Sequence, residues 1–327
     1  MPSIRAFALA FALIPCCAQV ALGADAYPSR PITIIVPFAA GGGVDIMGRL
    51  LGEKLRVELN QGVIVENKPG ASGMLGAQTV VRAPADGYTI LLGSAGETAI
   101  NPYVFREKMQ YSPQRDLAPI SLVARVPNVL LANPNLPIKN VEQLVAYGRA
   151  NPGKLTYATS GIGNPQHLNG ELLQSLAGIK MVHVPYKGAS AQLVDVASGN
   201  VDLTFVSLSG ALPFIKNGKV IPLAVTSKTR ASFAPDIPAL AEYPPIKAYA
   251  LDNWFGIFVP VHTPADVQAR LNQALVHVLQ DPALVASLRE QGGESAPMSQ
   301  AEFREFLAGQ YEVFAKIVND AHITAEN

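Results

Sequence analysis

The 327-residue chain carries 25 basic and 25 acidic side chains, a formal net charge of zero, with only 7% aromatic and 15% charged residues. A balanced chain has no electrostatic footprint for nucleic acid or for an anionic membrane surface, so neither is expected as a partner. Its length exceeds one ordinary hydrophobic core, which predicts two domains, and its abundant Gly and Pro suit an α/β protein with many tight turns.

Arg5 precedes the apolar run Ala6–Ile14, and small residues then lead to Ala24-Asp25-Ala26 before Tyr27. A single positive charge, a short apolar segment and an A-x-A site predict a cleaved secretory signal peptide over residues 1–26 and a periplasmic mature protein. The apolar run is far shorter than the ~20 residues that span a bilayer. Cys16 and Cys17 invite a lipoprotein reading, but Pro15 stands where a lipidation site wants a small residue. Cleavage removes both cysteines, so no disulfide, thiol nucleophile or cysteine metal ligand is expected. It also removes Arg5 and Asp25, which leaves the charge balanced.

From the mature start, strand-like and helix-like runs alternate. Ile32–Val36 is β-branched and continuous, as a strand buried on both faces should be. Val44, Met47, Leu51, Leu55 and Leu59 then recur at helical spacing. Gly62–Glu66 reads as a strand, Met74–Val81 as a helix and Tyr88–Leu92 as a third strand. This βαβαβ unit implies parallel pairing. A second series follows. Leu117–Ala132 is strand-rich and broken by Pro127, Val141–Arg149 is helical and Leu155–Ala158 extended. Gln166–Leu176 is helical, Met181–Val184 extended, Ala189–Ala197 helical and Val201–Val206 extended. After Leu223–Thr226 come one more buried strand, Trp254–Val259, and two strong helices, Ala265–Leu279 and Ala301–Val318.

The economical arrangement returns this tail to the first domain. The chain then crosses between lobes twice, as hinged clamshell proteins do. The expected fold is α/β and two-lobed, each lobe a mainly parallel sheet flanked by helices. Lobe 1 takes residues 27–125 and 226–327, and lobe 2 takes residues 126–225. Two sequential, unlinked domains are the alternative.

Ligands in open parallel sheets sit beyond the carboxyl ends of strands, where loops meet helix amino ends. Four such loops stand out. Pro37–Asp45 carries three glycines, which let backbone N–H groups approach an anion. It lacks both the Lys-Ser/Thr of a P-loop and the dinucleotide spacing. Asp45 is expected to cap N–H groups rather than to catalyse. In Gly93–Pro102, Ser94 and Thr98 are candidate donors to a carboxylate, and Glu97 points either to solvent or to a ligand cation. In Thr159–His167, the residues Ser160, Gly161, Gly163 and Asn164 form a second Gly/polar cradle, and His167 reads as a packed structural histidine. The fourth site joins Pro185–Ser190 to Ser207–Ser209. There Tyr186 either walls a pocket or fills the core, Lys187 is an anion partner or a turn residue, and Ser207 ends a strand. A nucleophile elbow is absent, and the five histidines show no ligand pairing, so neither a hydrolase nor a metal centre is expected. No cofactor is expected either.

The strings Tyr27-Pro-Ser-Arg-Pro31, Glu66-Asn-Lys-Pro-Gly-Ala-Ser-Gly-Met-Leu-Gly76, Asp86-Gly-Tyr-Thr-Ile-Leu91, Gly161-Ile-Gly-Asn-Pro-Gln-His-Leu168, Val184-Pro-Tyr-Lys-Gly188 and Trp254-Phe-Gly256 run in order along the mature chain. Together they resemble the tripartite tricarboxylate transporter receptors, also called Bug proteins. The resemblance implies a periplasmic-binding-protein-like clamshell. Such a receptor captures a small carboxylic acid and passes it to a membrane permease of the tripartite tricarboxylate type; a secreted ligand sensor for a membrane kinase, or an enzyme of unknown reaction, is the alternative, and a monomer is expected. By position, Phe38, Ala39, Ala40, Gly41 and Gly42 resemble one jaw of the binding site, and Ser160–Asn164 the other. Both hold ligand in the family largely through backbone N–H groups and ordered water. Val44 and Asn164-Pro165 stand where the family commonly has hydroxyl residues, so the identity of the acid does not carry over. Glu97 adds the expectation of a ligand with a cation or a neutral polar group beside its carboxylate.

Overall fold

The computed structural model describes residues 27–41, 43–186 and 189–324. The signal peptide expected over residues 1–26, Gly42 and Lys187 lie outside them. The strands, in chain order, are β1 (Ile32–Val36), β2 (Val63–Asn67), β3 (Thr89–Ser94), β4 (Leu117–Val126), β5 (Asn128–Ala132), β6 (Leu155–Thr159), β7 (Met181–Pro185), β8 (Leu203–Ser207), β9 (Ile221–Val225), β10 (Asn253–Pro260) and β11 (Glu294–Ser295). They form two sheets flanked by helices. The first has the order β11-β4-β10-β3-β1-β2 and the second β7-β6-β8-β5-β9.

β1 pairs parallel with both β2 and β3. Both of its faces are covered, which is why its sequence is continuously apolar rather than alternating. Ile34 and Val36 pack with Met47, Leu51 and Leu55 of helix Gly43–Leu59, whereas Ile35 packs with Ala77 and Val80 of helix Met74–Val81. In the second sheet β6 pairs parallel with β7 and β8.

The expectation of mainly parallel sheets needs one refinement. Each sheet admits a reversed strand between two others. β10 is antiparallel to both β3 and β4, and β5 is antiparallel to both β8 and β9. The cause lies in how the chain passes from sheet to sheet. β4 leaves the first sheet at its carboxyl end and enters β5 through the single residue Pro127. A strand arriving from that side must run against the strands that end there. Residues 226–252 return the chain, and β10 then enters the first sheet in the same reversed sense. The outgoing and returning segments are hydrogen-bonded together. Asn128 N–H donates to Thr226 Oγ1 (3.0 Å), Thr226 N–H to the Asn128 carbonyl (2.9 Å) and Leu251 N–H to the Thr226 carbonyl (3.1 Å).

β10 is buried along nearly its whole length. Trp254 sits at its centre of packing, with Phe303 edge-on at 6.2 Å and Phe306 edge-on at 5.7 Å, and its Nε1–H donates to Gln310 Oε1 (3.1 Å). Those partners lie on the long helix Gln300–Asp320, whose start is fixed by a capping box between Ser299 and Glu302. Helices Leu208–Lys216 and Pro282–Glu290 were not among the expected elements. The first occupies what reads as a Ser207–Ser209 loop, and Pro213 lies inside it. The second begins at Asp281, whose side chain accepts from Leu284 N–H, with Pro282 in its first turn. Among the described residues no helix is long and apolar enough to cross a membrane.

At Gly256 the Phe303 ring of the long helix packs directly on the backbone of β10. A Cβ built there would stand 2.4 Å from Phe303 Cζ, and Phe303 is itself fully buried. Gly256→Ala is therefore expected to lower unfolding stability by about 1–3 kcal/mol through overpacking. Denaturant melts of the two proteins check this, and an unchanged midpoint would show that the Phe303 ring has room to move.

Candidate functional site

The forward strands of both sheets end on the same side, and the reversed strands begin there. A cavity of about 370 Å3 lies between these ends, within the range usual for small-molecule sites. From the first sheet come Phe38 and Val44 after β1, Ser72 beyond β2, Ser94 and Gly96 at the end of β3, and Asn101 and Phe105 just beyond. From the second come Ser160, Ile162, Gly163, Asn164, Pro165 and Gln166 after β6, and Ser207 at the end of β8. The floor is made by the crossing itself, with Val126, Asn128, Asn253 and Phe255. No charged side chain is among these lining residues.

The loop after β1 is held from behind by Asp45, which is 3% exposed. Its carboxylate accepts from Gly41 N–H (2.8 Å), Asn67 Nδ2 (2.9 Å) and Arg49 (3.0 Å). The Arg49 hydrogen bond, with those of Gly41 and Asn67, outweighs burial and lowers its pKa to about 2. Asn67 Nδ2 also donates to the Phe38 carbonyl (3.1 Å). Asp45 thus fixes the loop, as a capping residue should. Phe38 reaches the cavity, whereas Ala39, Ala40 and Gly41 are exposed and do not line it; Gly42 lies outside the described residues.

Past β3 the expected loop is a wide helical turn, Gly96–Ile100, running into the short helix Asn101–Val104. This winding turns Glu97 and Thr98 inward, and both are fully buried. Glu97 therefore points neither to solvent nor to a ligand cation. Its carboxylate accepts from the N–H and the hydroxyl of Ser94, directly behind the cavity wall. Thr98 Oγ1 donates to the Ser94 carbonyl. Of the three expected site residues in this segment, the donors Ser94 and Thr98 and the cation partner Glu97, Ser94 alone lines the cavity.

In the loop after β6, Ser160, Gly163 and Asn164 line the cavity and Gly161 does not. Asn164 caps helix Pro165–Ala177 by accepting from His167 N–H (2.9 Å), and its Nδ2 donates to Ser160 Oγ (2.8 Å). The expectation that backbone N–H groups here point at a ligand is only partly met. Ser160 N–H donates to Gln166 Oε1 (2.7 Å) and Gly163 N–H to His167 Nδ1 (3.1 Å), so both are used within the loop. Because Ser160 Oγ accepts from Asn164, its own hydroxyl hydrogen is left for another acceptor. His167 is a packed histidine, stacked on His183 at 3.9 Å. Burial, and for His167 also the neighbouring His183, lowers the two pKa values to about 3 and about 4, so both rings are neutral near pH 7.

Tyr186 does not line the cavity and is half-buried at the margin of the core. It packs against the apolar cluster of the second sheet, and its hydroxyl donates to Asp195 (2.5 Å). Ser207 lines the cavity and bonds Ser209 Oγ (3.1 Å). Asn128, Asn253 and Phe255 escape the rule that ligands lie at carboxyl strand ends, because they sit at the amino ends of the reversed strands. A signal for two of them exists: each reversed strand is an apolar run opened by one asparagine, Asn128-Val-Leu-Leu-Ala and Asn253-Trp-Phe-Gly-Ile-Phe-Val.

Comparison with known proteins agrees with this architecture. A model described as the tripartite tricarboxylate transporter family receptor matches residues 47–323. Protein BugT of Bordetella pertussis is 33% identical over 301 residues, covering 91% of this chain and 91% of its own. The solved structure of Rpa4515 from R. palustris with adipate is 34% identical with a TM-score of 0.78, covering 91% of this chain and 99% of that one. MatC (Rpa3494) from Rhodopseudomonas palustris with bound malate is 27% identical with a TM-score of 0.74, covering 89% and 100%.

Burial, offset only in part by the Ser94 hydrogen bonds, raises the Glu97 carboxyl from 4.5 to about 7. The folded state then holds this proton more tightly than the unfolded chain. Stability linked to Glu97 is complete below about pH 4.5 and declines as pH rises through about 7. Glu97→Gln keeps one donor and one acceptor for Ser94 but cannot ionise. Between about pH 5 and pH 8 the wild type should lose on the order of 3 kcal/mol relative to the variant. Urea melts across that range test this, and parallel pH profiles would refute it.

Proposed function

The chain belongs to the tripartite tricarboxylate transporter receptor family, and from that premise we propose that it is a periplasmic receptor that captures a small carboxylate-bearing molecule and delivers it to a membrane permease of the tripartite tricarboxylate type. Residues 1–26 serve as a cleaved signal peptide, and the mature protein acts as a monomer. Residues 27–125 with 226–327 move as one lobe, and residues 126–225 move as the other. The observation that carries this reading is one cavity walled by both glycine-bearing loops, the first at Phe38–Val44 and the second at Ser160–Gln166. The relatives with adipate and malate support the ligand class.

The mechanism is closure about the double crossing at Asn128 and Thr226. The ligand meets hydroxyl and amide donors of one lobe, then those of the other, and so favours the closed state over the open one. Each hydrogen bond to a carboxylate contributes ~1.5–3 kcal/mol, so a few of them give roughly micromolar affinity. The walls supply donors and apolar surface, and Ser94, the lining hydroxyl bonded to the buried Glu97, acts in binding rather than in attack, so the ligand leaves unchanged. Mass balance on incubated ligand checks that point.

A thermal-shift screen of carboxylic acids tests the ligand class. At one hundred times Kd a true ligand adds about 2.7 kcal/mol of stability. Neutral sugars shifting the melting temperature while acids do not would overturn the reading. Closure itself has a steric test at Gly163. A Cβ there would stand 2.5 Å from Cγ1 of Val104, on the short helix Asn101–Val104 of the facing wall. Gly163→Ala should weaken the best acid by about ten-fold, the equivalent of ~1.4 kcal/mol. Adding Val104→Ala should restore part of it. An affinity loss that Val104→Ala leaves untouched would assign the effect to backbone strain at Gly163, whose φ is +70°, rather than to contact across the cleft.

A further inference from the structure

The site presents five side-chain amides to the cavity, and four of them have a partner inside the protein. Asn101 Nδ2 donates to the Ser72 carbonyl (3.0 Å), and Asn164 Nδ2 to Ser160 Oγ (2.8 Å). Gln166 Oε1 accepts from Ser160 N–H, and Asn253 Oδ1 accepts from Trp254 N–H (3.0 Å). Asn128 differs. It is 4% exposed, and its Nδ2 is buried with no hydrogen-bond partner among the described residues. Its backbone is held in place, donating to Thr226 Oγ1 and accepting from Thr226 N–H, so only rotation of the side chain is open to it. A buried amide left unpaired is costly, and native proteins keep few of them. Asn128 lines the cavity, so a turn of its amide places the nitrogen where a ligand oxygen can supply the missing partner.

Resting on the receptor reading above, we infer that Asn128 is a specificity-determining residue whose side-chain amide donates to an acceptor oxygen on the part of the ligand that lies over the crossing strands. An amide nitrogen donates and cannot accept, so the oxygen belongs to a hydroxyl, carbonyl or second carboxylate, and an ammonium group is rejected at this point. The neighbours agree with such a choice. Val126 and Phe255 beside Asn128 are apolar, and among the described residues no carboxylate side chain lines the cavity to meet a cation. The ligand class is a carboxylate with a largely apolar body and an oxygen acceptor apart from the first carboxylate.

Titration calorimetry on the purified protein tests this with two matched series. The first is hexanoate, adipate and ε-aminocaproate; the second is benzoate, p-hydroxybenzoate and p-(aminomethyl)benzoate. In the wild type the acceptor-bearing member of a series should bind tighter than its parent, and the ammonium-bearing member weakest. Asn128→Ala should weaken the acceptor-bearing member by about ten-fold or more while changing the parent by less than two-fold. Asn128→Asp, nearly isosteric and without a donor when ionised, should do the same and improve the ammonium-bearing member. Melting of the ligand-free variants reports whether each is folded, and the Asp variant carries the test if the Ala variant is not. Equal losses for parent and acceptor-bearing members, no loss at all, or a wild-type preference for the parent or the ammonium member would overturn the assignment. If none of the six acids binds, the carboxylate reading itself falls, a result distinct from binding that ignores Asn128.

Discussion

The site exists because the two sheets are joined by segments that run side by side and hydrogen-bond to each other at Asn128 and Thr226. A single residue, Pro127, separates the last strand position of one sheet from the first of the other. Proline has no N–H to extend either ladder and fixes its own φ, so the join is short without becoming part of a continuous strand. Everything at the site follows from this short junction. It brings the carboxyl ends of both sets of forward strands to face each other, and it forces the strands that cross to run in reverse. The helix-bearing loops become walls and the crossing becomes the floor.

The walls owe their shape to polar groups that never touch the cavity. Asp45 draws in the first loop through Gly41, Asn67 and Arg49, and His167 and Gln166 take up the amides of the second. These bonds remove N–H groups that would otherwise face a ligand, and in return they set the loop geometry before any ligand arrives. Pre-ordered loops lose less conformational freedom on binding. Glu97 plays a comparable part behind Ser94, at the cost of burying a carboxyl with no cation to balance it. Donors that remain on the described walls include the hydroxyls of Ser72, Ser160 and Ser207 and the amide nitrogens of Asn128, Gln166 and Asn253.

Much of the fold is legible in the residues. Helical spacing from Val44 to Leu59 and the continuous apolar runs at Ile32–Val36 and Trp254–Val259 place their elements correctly, because both features report burial directly. The glycine-bearing loops likewise mark both walls of the cavity. What stays hidden depends on direction and on tertiary packing. Strand polarity is invisible in an apolar run, so the reversed course of β5 and β10, and with it the asparagines on the floor, cannot be read from strand-end rules. Glu97 and Thr98 look like loop residues because Gly96 and Pro102 flank them, and only the helical winding past β3 sends them inward. Helix Leu208–Lys216 is masked by Gly210 and Pro213. Helix Pro282–Glu290 does announce itself, with Asp281 capping and Pro282 in the first turn.

Among the described residues no charged side chain lines the cavity wall, and this bears on how molecules arrive. Clefts lined by one sign of charge focus field lines and draw in oppositely charged solutes, at rates that fall steeply with ionic strength. The described wall supplies no such funnel, so its share in encounter is diffusion through the mouth. What these residues contribute to discrimination is exerted at short range, after entry.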